Sequence, residues 1–203
     1  MRATWFTRVG AAMAVIAAMV SSSCGEFVRS SNSPTQLIIN QILVAAGSGT
    51  VATSFVSGPL LSDVQAATGT IFDDFGQVTL RAILRDQGLP GGVAPSSTAV
   101  NDVTISRYRI VYSRSDGRNT PGVDVPFPID GAMTVTIPIG GSAAGVFELV
   151  RHVAKAEAPL VVLRNNPVVI AMIADVTFFG RDQAGNEVSV SGSVQINFAN
   201  FGG

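Results

Sequence analysis

The chain has 203 residues, a formal net charge of −1, 47% hydrophobic residues and 13% charged residues. That balance excludes bulk disorder and a nucleic-acid footprint, and the length holds one β-rich domain or two small ones at most. A single cysteine and a single histidine exclude an internal disulfide framework, a Cys/His zinc site and a multi-histidine metal centre, so neither a metal nor another cofactor is expected.

The first element is a leader, residues 1–23. Arg2 and Arg8 give it a positive start, Val9 to Val20 an apolar middle, and Ser21-Ser22-Ser23 a small-residue end. This is the layout of a secretory signal peptide. The apolar run is shorter than the roughly 20 residues that a permanent membrane helix needs. The only cysteine, Cys24, follows the leader directly.

In these residues the sequence resembles a bacterial lipoprotein precursor, in which a small-residue box precedes a cysteine that is lipidated and becomes residue one. Ser22, Ser23 and Cys24 fit that pattern. Ser21 departs from it, because the family usually carries Leu, Val or Ile three places before the cysteine. The resemblance implies a thioether from the Cys24 thiol to a diacylglyceryl group, and anchoring by several acyl chains. The implied address is the cell envelope: the outer membrane, or the periplasmic face of a membrane, in a two-membrane bacterium. Residues 24–35 then read as a lipidated N-terminus and polar tether, and 36–203 as the folded domain.

Leu37 to Val44 is apolar enough for a first strand, broken at Gly47-Ser48-Gly49-Thr50. Residues 51–70 carry no clear period. Gln77 to Arg85 alternates, with Val78, Leu80, Ala82 and Leu84 on one face, which predicts a half-buried antiparallel strand. Leu89 to Ser97 is loop. Val103 to Arg114 is rich in β-branched and aromatic residues and predicts another strand, with Tyr108, Ile110 and Tyr112 on one face. Ser115 to Gly122 is a long turn. Met133 to Ile139 alternates again, and Pro138 marks an edge or a strand end. Val146 to Lys155 fits helical spacing and strand composition alike, and strand is favoured because its neighbours are strands. Pro159 ends that segment. Val168 to Phe179 reads as a buried strand, Arg181 to Asn186 as a turn, and Val188 to Phe198 as an alternating strand with an uncharged polar face. About seven short strands with no βαβ alternation predict an all-β, antiparallel sandwich.

The last of these elements resembles the end of bacterial immunoglobulin-like and fibronectin type III-like modules. There an apolar strand, an Asp-x-Ala-Gly-Asn turn and an alternating strand close the domain. Asp182, Ala184, Gly185 and Asn186 match the turn, between Val176-Thr177-Phe178 and Val188-Ser189-Val190. The resemblance covers roughly the last 30 residues and implies an immunoglobulin-like sandwich. It implies no particular activity.

Catalytic sets are sparse. Any Ser-His-Asp triad would have to use His152, and no Gly-x-Ser-x-Gly elbow precedes it. Asp73 and Asp74 are adjacent, so on a strand they point to opposite faces. Asp116 with Asn119, and Asp182 with Asn186 and Glu187, offer oxygen ligands, but none fits a calcium-loop pattern, and turn chemistry accounts for them. Twelve arginines stand against one lysine. Arg107, Arg109 and Arg114 flank Tyr108 and Tyr112 on one predicted strand, types enriched at binding hot spots. The expectation is a non-enzymatic, lipid-anchored envelope module with a structural, adhesive or assembly role, meeting an envelope protein or glycan through Arg107, Tyr108, Arg109, Tyr112 and Arg114. The competing expectation is a small glycan-binding protein or hydrolase using paired carboxylates.

Overall fold

The computed structural model describes residues 33–48, 54–86 and 98–201. The leader, Cys24, the segment up to Asn32 and the Leu89–Ser97 loop lie outside them. Eight strands are formed there: β1 (Thr35–Ala45), β2 (Leu60–Asp63), β3 (Asp74–Leu84), β4 (Val103–Ser113), β5 (Ile129–Ile137), β6 (Ser142–Val150), β7 (Ile170–Asp182) and β8 (Glu187–Ala199). A short helix, α1 (His152–Ala156), and 3-10 turns at Ala99–Asn101 and Leu160–Asn165 lie between them. One sheet has the order β1-β3-β6, the other β2-β8-β7-β4-β5. Every pairing is antiparallel except β2 with β8. The protein is an all-β sandwich.

Alternation builds the two inner faces. Val78, Leu80 and Ala82 on β3 are wholly buried and face Ile110 on β4 and Ala174, Val176 and Phe178 on β7. Phe147 of β6 fills the middle, its ring centroid 5.3 Å from Tyr108 and 5.2 Å from Phe178. It lies so close over β3 that a Cβ on Gly76 would sit 2.4 Å from its Cζ. Aromatic packing of this tilted and edge-on kind adds about 1 kcal/mol beyond burial.

Two strands change phase part-way. In β1 the register with β3 slips between Ile39 and Gln41, so Asn40 is an extra residue. Thr35 and Leu37 face in before it, Ile42 and Val44 after it. In β4 the register slips between Ile105 and Arg107 against both neighbours. Val103 and Ile105 face in before the bulge, Tyr108, Ile110 and Tyr112 after it. One unpaired residue reverses which side chains face the core.

The unplaced 51–70 stretch contains β2. The Val146–Lys155 stretch divides: β6 runs to Val150 and α1 starts at His152. Strand and helix each hold for half of it. β5 ends one residue before Pro138 and is the outer strand of its sheet. The described residues begin at Ser33. Its hydroxyl donates to Asp182 at 2.9 Å, and Ser33 and Thr35 are both buried.

Candidate functional site

The five residues singled out on β4 divide between its two faces. Tyr108 and Tyr112 point inward and cross to β6 of the opposite sheet. The Tyr112 hydroxyl donates to the Leu149 carbonyl at 2.7 Å, and the Tyr108 hydroxyl accepts from the Glu148 N–H at 3.2 Å. Burial pushes both phenols above their ordinary range. A Cβ on Gly131 would meet Tyr108 at 2.2 Å, so β5 carries a glycine where that ring passes. The tyrosines tie the two sheets together at the β4–β6 side.

Arg107 and Arg109 point outward. The Arg107 guanidinium lies over the Phe179 ring, 3.9 Å from its centroid, and Arg109 reaches Asp130 on β5 at 3.2 Å. Val111 and Ile173 lie exposed on the same face; Thr177 bonds Ser191 beside them, and Thr104 bonds Thr136 at the other end of β4. Arg114 lies beyond the strand, where it and Arg118 both grip Asp116 in the following turn. The structure thus brings Arg107 and Arg109 together on one sheet face, beside aliphatic and hydroxyl side chains, and places Arg114 in a separate turn.

At the end of β3 the neighbouring carboxylates diverge. Asp73 faces outward and accepts from His152, whose Nδ1 is 2.8 Å away and whose backbone N–H donates to the same oxygen. Partial burial raises its pKa, but the His152 bonds and charge outweigh that and hold it below the ordinary carboxylate range. Asp74 faces inward. Its Oδ2 lies 2.8 Å from Lys155 Nζ and 2.6 Å from Ser62 Oγ, and its Oδ1 accepts from the Gly47 N–H at 2.9 Å. Asp74 and Lys155 are each about 1% exposed. Burial pushes the Asp74 carboxyl up, and Lys155, Ser62 and Gly47 pull back only part of the way. The two carboxylates therefore do not face each other across a cleft.

Sequence reasoning did not find this buried cluster. The one local mark was that the chain's only lysine lies in the one segment with two readings, and its partners Ser62 and Asp74 are remote in sequence.

The remaining acidic candidates are engaged within turns. Asp182 accepts from the Asn186 N–H at 2.8 Å, the Asn186 amide at 2.9 Å and Ser33. Asp116 serves its arginines. Among the described residues no three His, Cys, Asp or Glu side chains gather into a metal-binding group.

No family model matches the chain, and no curated protein matches it. Solved structures do, among them the X-ray structure of Northeast Structural Genomics Consortium target SoR45. It aligns with 84% of this chain and 89% of its own at 10% identity, with a TM-score of 0.35, too slight a likeness to carry an argument.

Proposed function

We propose that this protein is a lipid-anchored envelope module, held to a membrane through Cys24 and acting by contact rather than by catalysis. The observation that carries the contact role is the outer face of the five-stranded sheet. There Arg107 stacked on Phe179, Arg109, Val111 and Ile173 stand together in solvent. Arginine, aromatic and aliphatic groups in one place are what a protein interface concentrates at its centre. The strand order supports reading the sandwich as immunoglobulin-like. β1-β3-β6 corresponds to the first sheet of that fold. β8-β7-β4-β5 corresponds to the second, with β2 added in parallel at the last strand. The leader's charged start and apolar middle, and Cys24 after it, support the anchor.

Two experiments in the producing cells test the two halves. Cys24→Ser moves the protein from the membrane fraction to the soluble fraction and abolishes incorporation of a fatty-acid label. Retention of both would overturn the anchor. A photo-crosslinker at Val111 or Ile173 captures one envelope protein repeatedly, while one at Thr79 on the opposite sheet does not. Equal capture from both faces, or none from either, would overturn the contact face.

A further inference from the structure

The pair at the β3–α1 corner has the geometry of two groups set to join. Lys155 is the only lysine in a chain whose other twelve cationic side chains are arginine. The residue is almost completely withdrawn from water, and so is its partner. Arginine answers the need for a buried ion pair better than lysine, because its fork satisfies both carboxylate oxygens. What lysine has and arginine lacks is an amine that can attack a carbonyl carbon.

The two oxygens of Asp74 have different surroundings. Oδ1 receives the Gly47 N–H at 2.9 Å, and Oδ2 receives Lys155 Nζ at 2.8 Å and the Ser62 hydroxyl at 2.6 Å. A fixed N–H on one oxygen is what stabilises the negative charge of a tetrahedral intermediate. Proton donors on the other make it the leaving oxygen. The approach of Gly47 is specific to glycine. A Cβ there would lie 2.0 Å from the Asp73 carbonyl oxygen, so no other residue brings this N–H to Asp74 without moving the backbone.

We propose that Lys155 and Asp74 condense into an intramolecular amide. The bond that forms is Nζ–Cγ and the bond that breaks is Cγ–Oδ2. The Lys155 ammonium first passes one proton to Oδ2, 2.8 Å away, which leaves a neutral amine beside a carboxylic acid. The amine attacks Cγ, a second proton passes from nitrogen to the departing oxygen, and Oδ2 leaves as water; the amide keeps the third proton and the charges of the pair cancel. The step needs no oxidant, reductant or activated donor. Contact without water replaces a bimolecular encounter with an intramolecular one. The product removes two opposed charges from the core, the costliest feature of a buried ion pair. It staples the segment after β6 to the start of β3, the corner that Ser62 also links to β2.

The test is a tryptic map of the full protein, extracted in detergent from its own cells. The expected result is a branched species joining the fragment that ends at Arg81 to residues 152–164. Cleavage after Lys155 is blocked, and the mass is one water below the sum of the two fragments. Asp74→Asn gives the same branched species by loss of ammonia in place of water, which identifies the acyl partner. Lys155→Arg gives no branched species: cleavage follows residue 155, and the fragment that ends at Arg81 runs at its unmodified mass. Cleavage after Lys155, with the fragment that ends at Arg81 at its unmodified mass, in wild-type protein that is folded by circular dichroism, would overturn the proposal and leave the pair ionic. The wild-type map decides the matter even where a variant does not fold.

Discussion

Asp182 ties the turn between β7 and β8 to Ser33, just before β1. It is nearly buried, yet it accepts bonds from Asn186 and Ser33. Burial alone would raise its pKa, but these hydrogen bonds outweigh it and hold the carboxyl below its ordinary value of 3.8. A carboxylate with a depressed folded pKa stabilises the fold above the unfolded value. That contribution is lost as pH falls through the folded one. Asp182→Ala is therefore expected to lower unfolding free energy at pH 7 by about 2 kcal/mol, the scale of a hydrogen bond to a charged group. The deficit against wild type shrinks as pH drops below 3.8. Guanidinium unfolding at several pH values reads both, and a deficit that grows in acid would contradict the assignment. The Asp-x-Ala-Gly-Asn turn was visible in the sequence because an Asx side chain and a positive-φ glycine are local requirements; Gly185 sits at φ 86°. Ser33 was not, because its partner is 149 residues away. Lys155 was missed for the same reason, since a buried charge is defined by neighbours remote in sequence.

Strands were legible wherever their alternation was unbroken, as in β3 and β8. They became opaque where a bulge reverses it. The inward pair Val103 and Ile105 has the opposite parity to Tyr108, Ile110 and Tyr112. A single-phase reading of β4 can assign only one of the two sets. In β1 the extra residue is Asn40, and its removal forces a choice between burying Leu37 with Ile39 and burying Ile42 with Val44. Each aliphatic side chain withdrawn from the core costs about 1.5–3 kcal/mol. Deletion of Asn40 is thus expected to cost about 3 kcal/mol or more, whereas Asn40→Gly keeps the bulge and the fold. Amide dispersion in NMR spectra of the two variants separates these outcomes. The close approach at β3 gives a second test. Gly76→Ala would drive a methyl into Phe147, which is held between Tyr108 and Phe178. Overpacking of this kind costs about 1–3 kcal/mol. Phe147→Leu in the same chain should recover part of that loss. Strictly additive losses in the double-mutant cycle would show that the two positions do not touch.

At the scale of the whole molecule, the registers assign each loop to one end of the sandwich. The Ser33 start, the Arg85 end of β3 and the Arg181–Glu187 turn share one end. Ser33 bonds to Asp182 there, and the Arg85 N–H donates to the Pro34 carbonyl. The other end holds Asp63, Asp74, α1, the turn after β4 and Phe201, whose N–H donates to Asp63. The 13 residues of β8 run from the first end to the second, a span of about 40 Å. An anchor at Cys24 enters the fold at Ser33, so the first end would face the membrane and the Asp116–Gly122 turn would face away. Residues 25–32 reach at most about 28 Å, less than the length of the sandwich, so a lipid-anchored domain that stands upright would keep its two ends at unequal distances from the surface. This asymmetry is measurable. A cysteine placed at Val123, which is 65% exposed at the far end, should react with a bulky polymer maleimide several-fold faster in intact membranes than one placed at Ala184 in the near turn. In detergent the two rates should converge, since both positions are open in the folded domain. Equal rates in membranes would mean that the domain does not stand on its Ser33 end.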